Sequence, residues 1–80
     1  MDEQLQARII INPQVMVGKP VIRGTRIPVE LIVRMFAQGI SENEILREYP
    51  RLQTEDIRAA LAYAAQTVAH EDILPLAIST

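Results

Sequence analysis

Lysine, arginine, glycine and threonine close together are the ingredients of an anion site, and this chain gathers them in one stretch. Gly18-Lys19-Pro20-Val21-Ile22-Arg23-Gly24-Thr25-Arg26-Ile27-Pro28-Val29 holds three cations and no carboxylate, within a chain of formal charge −2. The remaining residues therefore carry −5, the difference between −2 and +3. A phosphate-binding loop of the form G-x-x-x-x-G-K-[ST] is excluded, because Pro13 and Pro20 stand where a glycine and a hydroxyl residue are required. A looser anion site is left open, with the Gly24 and Thr25 N–H groups beside Arg23 and Arg26. The plain structural reading is a turn, since the two glycines permit positive φ and Pro20 and Pro28 bias their neighbours to extended geometry.

Catalysis finds little support elsewhere. A nucleophile needs a base within reach, and His70, the one histidine, falls at a helix end among carboxylates. Glu42, Glu44, Glu48, Glu55 and Asp56 cluster at or near helix starts, where capping and the helix dipole account for them. With no cysteine there is neither a disulfide framework nor a thiolate metal site, and one histidine does not make a metal cluster. No catalytic residue, metal or cofactor is expected.

Eighty residues make one domain, near the lower size limit for a core that folds unaided. Apolar residues reach 49%, yet only two tyrosines and one phenylalanine are aromatic, so aliphatic side chains must build the core. No apolar run approaches the ~20 residues of a membrane-spanning helix, and Met1-Asp2-Glu3-Gln4 lacks the basic-then-apolar pattern of a signal peptide. A cytoplasmic protein without membrane contact is the expectation.

The elements that would position the cationic stretch can be taken in order. Residues 1–6 read as a frayed lead-in. Arg8-Ile9-Ile10-Ile11 and Val21-Ile22 read as short strands that could pair as an antiparallel ribbon. A helix is expected from about Pro28 to Gln38, with Leu31, Ile32, Met35 and Phe36 inward, Val33 and Ala37 outward, and Gly39 ending it in the left-handed region. Ser41 and Glu44 form a capping box flanked by the Ile40/Ile45 staple, which predicts a second helix from Glu42 to about Glu48. Thr54 is expected to cap a third helix, with Ile57, Leu61, Ala64 and Val68 as its core stripe and Ala60 and Ala65 at its flanks. Residues 71–80 read as an extended arm, packed on its own domain, bound to a partner or disordered.

Taken with Gly39-Ile40-Ser41, Glu44-Ile45-Leu46, Tyr49-Pro50-Arg51-Leu52, Asp56-Ile57 and Ala59-Ala60-Leu61-Ala62-Tyr63-Ala64, the cationic stretch resembles the domain-of-unknown-function 433 family (DUF433), from about Ile11 to Pro75. The resemblance implies a homeodomain-like helix-turn-helix fold, and an antitoxin that binds a toxin similar to PIN-domain ribonucleases. Such antitoxins often present an arginine from the C-terminal arm, but residues 59–80 contain no Lys or Arg. Electrostatic contact is therefore assigned to Arg23 and Arg26 with Lys19 in support, within the Gly18–Arg26 motif that also includes Pro20, Gly24 and Thr25. Apolar anchoring is assigned to Ile73, Leu74 and Leu76.

The expected fold is mostly α, a three-helix bundle with a short N-terminal β-ribbon and the C-terminal arm, forming one domain over residues 1–80. The expected function is a non-enzymatic binding module, the antitoxin of a toxin–antitoxin pair. A helix-turn-helix DNA-binding regulator is the main rival, and a structural homo-oligomer a third reading. The third helix is expected to turn Arg58, Ala59, Ala62, Tyr63 and Gln66 outward, a surface better suited to protein than to DNA. One arginine there, an acidic balance and a sequence pI near 5.2 are a weak electrostatic footprint for phosphates. A homodimer is expected, since the ribbon leaves unpaired edges and Val33, Ala37, Ala59 and Ala62 leave helix faces apolar.

Overall fold

Four isoleucines, one from each main element, meet at the centre of the molecule. Ile22, Ile32, Ile45 and Ile57 are fully buried, each contributing about 1.5–3 kcal/mol of burial. Around them pack Val29, Met35, Leu52 and Ala60, with Phe36 and both tyrosines partly buried at the margin. The computed structural model describes residues 2–70. It is mostly helical, with four helices and a two-stranded antiparallel sheet: α1 Glu3–Gln6, β1 Ile9–Ile11, β2 Pro20–Ile22, α2 Val29–Ala37, α3 Glu42–Glu48 and α4 Thr54–His70. Ile9 pairs with Ile22, Ile10 with Val21 and Ile11 with Pro20.

Local sequence explains most element ends. At the end of α2, Gly39 takes φ +85° and donates to the Phe36 carbonyl at 3.0 Å, while Ile40 donates to Met35 at 3.0 Å. This is the Schellman arrangement, and only glycine enters it without strain. Ser41 caps α3 by accepting from the Glu44 N–H at 3.2 Å. The carboxylate of Glu44 accepts from the Ser41 hydroxyl at 3.2 Å, so the expected capping box forms in a modified version.

Between the strands the chain turns left-handed at Met16-Val17-Gly18, with φ of 52°, 55° and 79°. A β-branched residue in that region costs about 1–2 kcal/mol, and Val17 is 95% exposed there.

Several expectations are corrected. The lead-in is not frayed over residues 3–6: Asp2 accepts from the Gln4 N–H at 2.7 Å and starts α1, which packs against α4. Pro28 caps α2 from outside, with φ −72° and ψ 147°, instead of forming its first turn. Thr54 is the first residue of α4, and the cap comes from Asp56, whose Oδ2 accepts from the Gln53 N–H at 2.9 Å. The buried stripe of α4 is rotated from the expected one. Asp56, Ala59 and Ala60 join Ile57 inside, whereas Leu61 is 40% and Val68 63% exposed. The reason is tertiary, because α1 and β1 cover the side of α4 that periodicity alone left open. The inward face of α2 holds Leu31, Ile32, Met35 and Phe36 as expected but is wider: Val33 also packs against the core, while Ala37 is exposed as expected.

Candidate functional site

The cationic stretch folds into a projecting tip whose own backbone does the building. After β2, the Thr25 N–H donates to the Ile22 carbonyl at 3.0 Å, closing a turn with Gly24 at φ +78°. That is the third position of a type II turn, which requires positive φ. The Thr25 hydroxyl donates to the same Ile22 carbonyl at 2.7 Å and accepts from the Ile27 N–H at 3.0 Å. The Ile22 N–H donates to the Ile27 carbonyl at 3.0 Å, and a bridge from Val21 to Pro28 returns the chain toward α2. A side chain built on Gly24 would meet nothing within 4 Å, so backbone conformation, and not crowding, demands glycine.

None of these bonds uses the side chains of Arg23 or Arg26. Both are exposed, and neither is in an ion pair among the described residues. A third arginine joins them from the connection between α3 and α4. Arg51 Nη1 donates to the Gly24 carbonyl at 3.4 Å, across 27 residues of sequence. Arg51 and Arg23 line an open depression of about 570 Å³ on one side of the tip. Arg51 and Arg26 line another of about 550 Å³ on the other, with Gly24 and Thr25. The three guanidiniums present planar donors suited to paired recognition of carboxylate or phosphate.

Other cations are already engaged. Arg8 also borders the first depression, but its Nη1 donates to Asp56 Oδ1 at 2.9 Å. Asp56 is 7% exposed and accepts from Gln53 as well, which ties the turn between α1 and β1 to the start of α4. Lys19, expected to support Arg23 and Arg26, instead donates to Glu30 Oε1 at 2.8 Å, and Arg34 lies 3.7 Å from Glu30 Oε2. The hydrogen bond from Lys19, then its charge, hold the Glu30 carboxyl below the usual carboxylate range, with a smaller contribution from Arg34.

Lys19 and Pro20 thus belong to a different feature. They border a largely apolar groove of about 490 Å³ between α2 and the second half of α4. Gly18 sits in the left-handed turn before it.

The residues expected outward on α4 do not form one surface. Arg58 and Gln66 are exposed, Ala62 and Tyr63 are half-buried, and Ala59 is fully buried, which removes it as an interface residue. Ile73, Leu74 and Leu76 lie outside the described residues. Sequence reasoning missed Arg51 as a site residue. Its one signal was membership of Tyr49-Pro50-Arg51-Leu52, and nothing local links it to a glycine in another turn.

Among the described residues no group of three or more His, Cys, Asp or Glu could hold a metal ion, and no helix is long and apolar enough to cross a membrane.

Comparison with known proteins places these features in context. The family model described as "Protein of unknown function (DUF433)" matches residues 9–64. The chain is 39% identical over 66 residues to uncharacterized protein y4eO of Sinorhizobium fredii, a match covering 80% of this chain and 30% of that protein. An uncharacterized protein of Archaeoglobus fulgidus is 61% identical over 28 residues, 35% of this chain and 78% of that one. The fold is similar to the crystal structure of a DUF433 member protein from Anabaena variabilis, with a TM-score of 0.76 and 42% identity over 84% of this chain and 66% of that one.

Proposed function

The chain belongs to the DUF433 family, and from that premise we propose that it is a non-enzymatic binding module, the antitoxin of a toxin–antitoxin pair that sequesters a PIN-like ribonuclease. One observation carries the reading: Arg23, Arg26 and Arg51 surround the Gly24 turn and are committed to no ion pair among the described residues. A nuclease that gathers carboxylates around divalent metal has a negative mouth, and a projecting tip with three arginines is complementary to it. Arg51 now joins Arg23 and Arg26 as the electrostatic contact, in place of Lys19. Ile73, Leu74 and Leu76 remain the proposed apolar anchors on the partner.

Retrieval of the tagged chain from its native host should bring down a small ribonuclease identifiable by mass spectrometry. Added back, the wild-type chain should suppress RNA cleavage, and Arg23→Ala/Arg26→Ala/Arg51→Ala should suppress it at least tenfold less well. Equal suppression by a folded triple variant would overturn the assignment of the tip, and absence of any nuclease would overturn the antitoxin reading.

DNA binding stays as the second reading because Arg51 sits in the connection between α3 and α4, the two helices that a homeodomain-like reading would make the helix-turn-helix pair. Against it, Ala59 on α4, which would be the recognition helix, is covered, and Glu55 stands at that helix's start. Salt-sensitive binding of a defined operator duplex by the purified chain would favour this reading over the first. A homodimer is part of the proposal, now resting on the outer edge of β1, which pairs with no strand among the described residues, and on exposed Leu61 and Val68 instead of Ala59.

A further inference from the structure

The two edges of the ribbon are not equivalent. On the β2 side the Ile22 N–H donates to the Ile27 carbonyl at 3.0 Å and Val21 is bridged to Pro28, so the chain's own return covers that edge. Beside β1 lies no other strand among the described residues.

The same bond fixes which groups of β1 face outward. In an antiparallel pair, residues whose N–H and C=O point at the partner strand alternate with residues whose groups point away. Ile22 points away from β1, so its partner Ile9 points away from β2, and Ile11, two residues on, does the same. The Arg23 N–H, next along the chain, keeps the alternation by donating back to the Arg8 carbonyl at 2.8 Å. The N–H and C=O of Ile9 and Ile11 therefore stand on the open edge, and no backbone hydrogen bond among the described residues engages them. Side chains tell a similar story. Ile9 and Ile11 share the face that meets the core, yet Ile9 packs against it while Ile11 is 57% exposed. β1 also lacks the charge, proline or bulge that usually blocks an edge.

We propose that β1 pairs antiparallel with β1 of a second copy about a twofold axis at Ile10, making one sheet in the order β2-β1-β1-β2. In this register Ile9 faces the second copy's Ile11 and exchanges both hydrogen bonds with it, so every outward group gains a partner. Ile11 is then covered by the second copy's Ile9 on the core side, and Ile10 meets its own equivalent on the other face. A shift either way fails. One direction sets Ala7, which is in helical conformation, opposite Ile11, and the other sets Pro13, which has no N–H, opposite Ile9. Charge favours this occupant as well: the edge carries none to attract an acidic partner, and Arg8 faces Asn12 of the second copy instead of a like charge. The pairing rests on the homodimer of the proposed function and on nothing else in it.

Sedimentation velocity together with residue-resolved amide hydrogen exchange tests it. The wild-type chain should sediment as a dimer that dissociates on dilution. The Ile9 and Ile11 amides should exchange at least tenfold more slowly in the dimer than in the diluted monomer, and the inward Ile10 amide should change less. Ile11→Pro removes an N–H that the monomer ladder does not use, and Ile11→Lys keeps the backbone but sets a charge beside Ile9 of the second copy. Both should fold by far-ultraviolet circular dichroism and dimerise at least tenfold more weakly. A wild-type chain that is monomeric at every concentration would remove the homodimer and the edge pairing together. A dimer that persists in the folded variants, or whose Ile9 and Ile11 amides exchange as fast as the monomer's, uses another surface and overturns the edge pairing alone. Should either variant unfold, the exchange comparison on the wild-type chain decides by itself.

Discussion

Two sets of arginines border the same depression and lead opposite lives. Arg8 meets Asp56 at 2.9 Å, in a pair whose carboxylate is buried and also caps α4. Arg23 and Arg51 line the same hollow, and neither is in an ion pair among the described residues. Position in the fold, not residue type, decides which guanidinium is structural. The paired arginine sits where strand, N-terminal helix and α4 converge, while Arg23 stands on a turn that closes without its side chain and Arg51 reaches that turn from the α3/α4 connection through one hydrogen bond to the Gly24 carbonyl. Charge left without a partner by a turn that does not need it is available to something outside the molecule.

The comparison predicts unequal costs of substitution. Asp56→Ala removes the pair with Arg8 and the cap on Gln53 together, and should destabilise by about 2 kcal/mol, a fall of roughly 10 °C in the calorimetric Tm. A change below 2 °C would show that Arg8 and Arg51 are not distinguished by Asp56 after all. Gly24→Val comes next, because a β-branched residue at φ +78° should cost about 1 kcal/mol or more despite open space around it. Urea titration would measure this, and a melt like wild type would mean that the tip tolerates another turn.

Arg23→Ala/Arg26→Ala/Arg51→Ala should stay within about 0.5 kcal/mol of wild type, as exposed substitutions do, the one bond lost being the long, exposed contact of Arg51 with the Gly24 carbonyl. Loss of folding in that variant would erase the distinction between the two sets. The smallest effect concerns Lys19 and Glu30. The folded-state value of Glu30 is lowered, so its contribution is present above the ordinary carboxylate value of 4.5 and is lost as pH falls through the lowered value. Solvent exposure and screening keep it small, and Glu30→Gln should slightly flatten the acid limb of a stability–pH curve.

Periodicity and turn chemistry made much of this fold legible. The capped helix Glu42–Glu48, the glycine stop at Gly39 and the pairing of two short strands follow from signals within a few residues of each other. The concentration of cations around Gly24 was visible for the same reason. What stayed hidden required distant residues to meet. The face of α4 that is buried depends on α1 and β1 arriving from the other end of the chain, and hydrophobic spacing in α4, rich in alanine, is compatible with more than one rotation. Arg51 joins the tip because the core aligns two turns that sequence separates by 27 residues. Lys19 leaves it because Glu30, in the first turn of α2, lies within its reach at 2.8 Å. Local backbone preference decided where helices start and stop; only tertiary packing decided which charges find partners, because a side chain's partner is set by what the core brings within its reach.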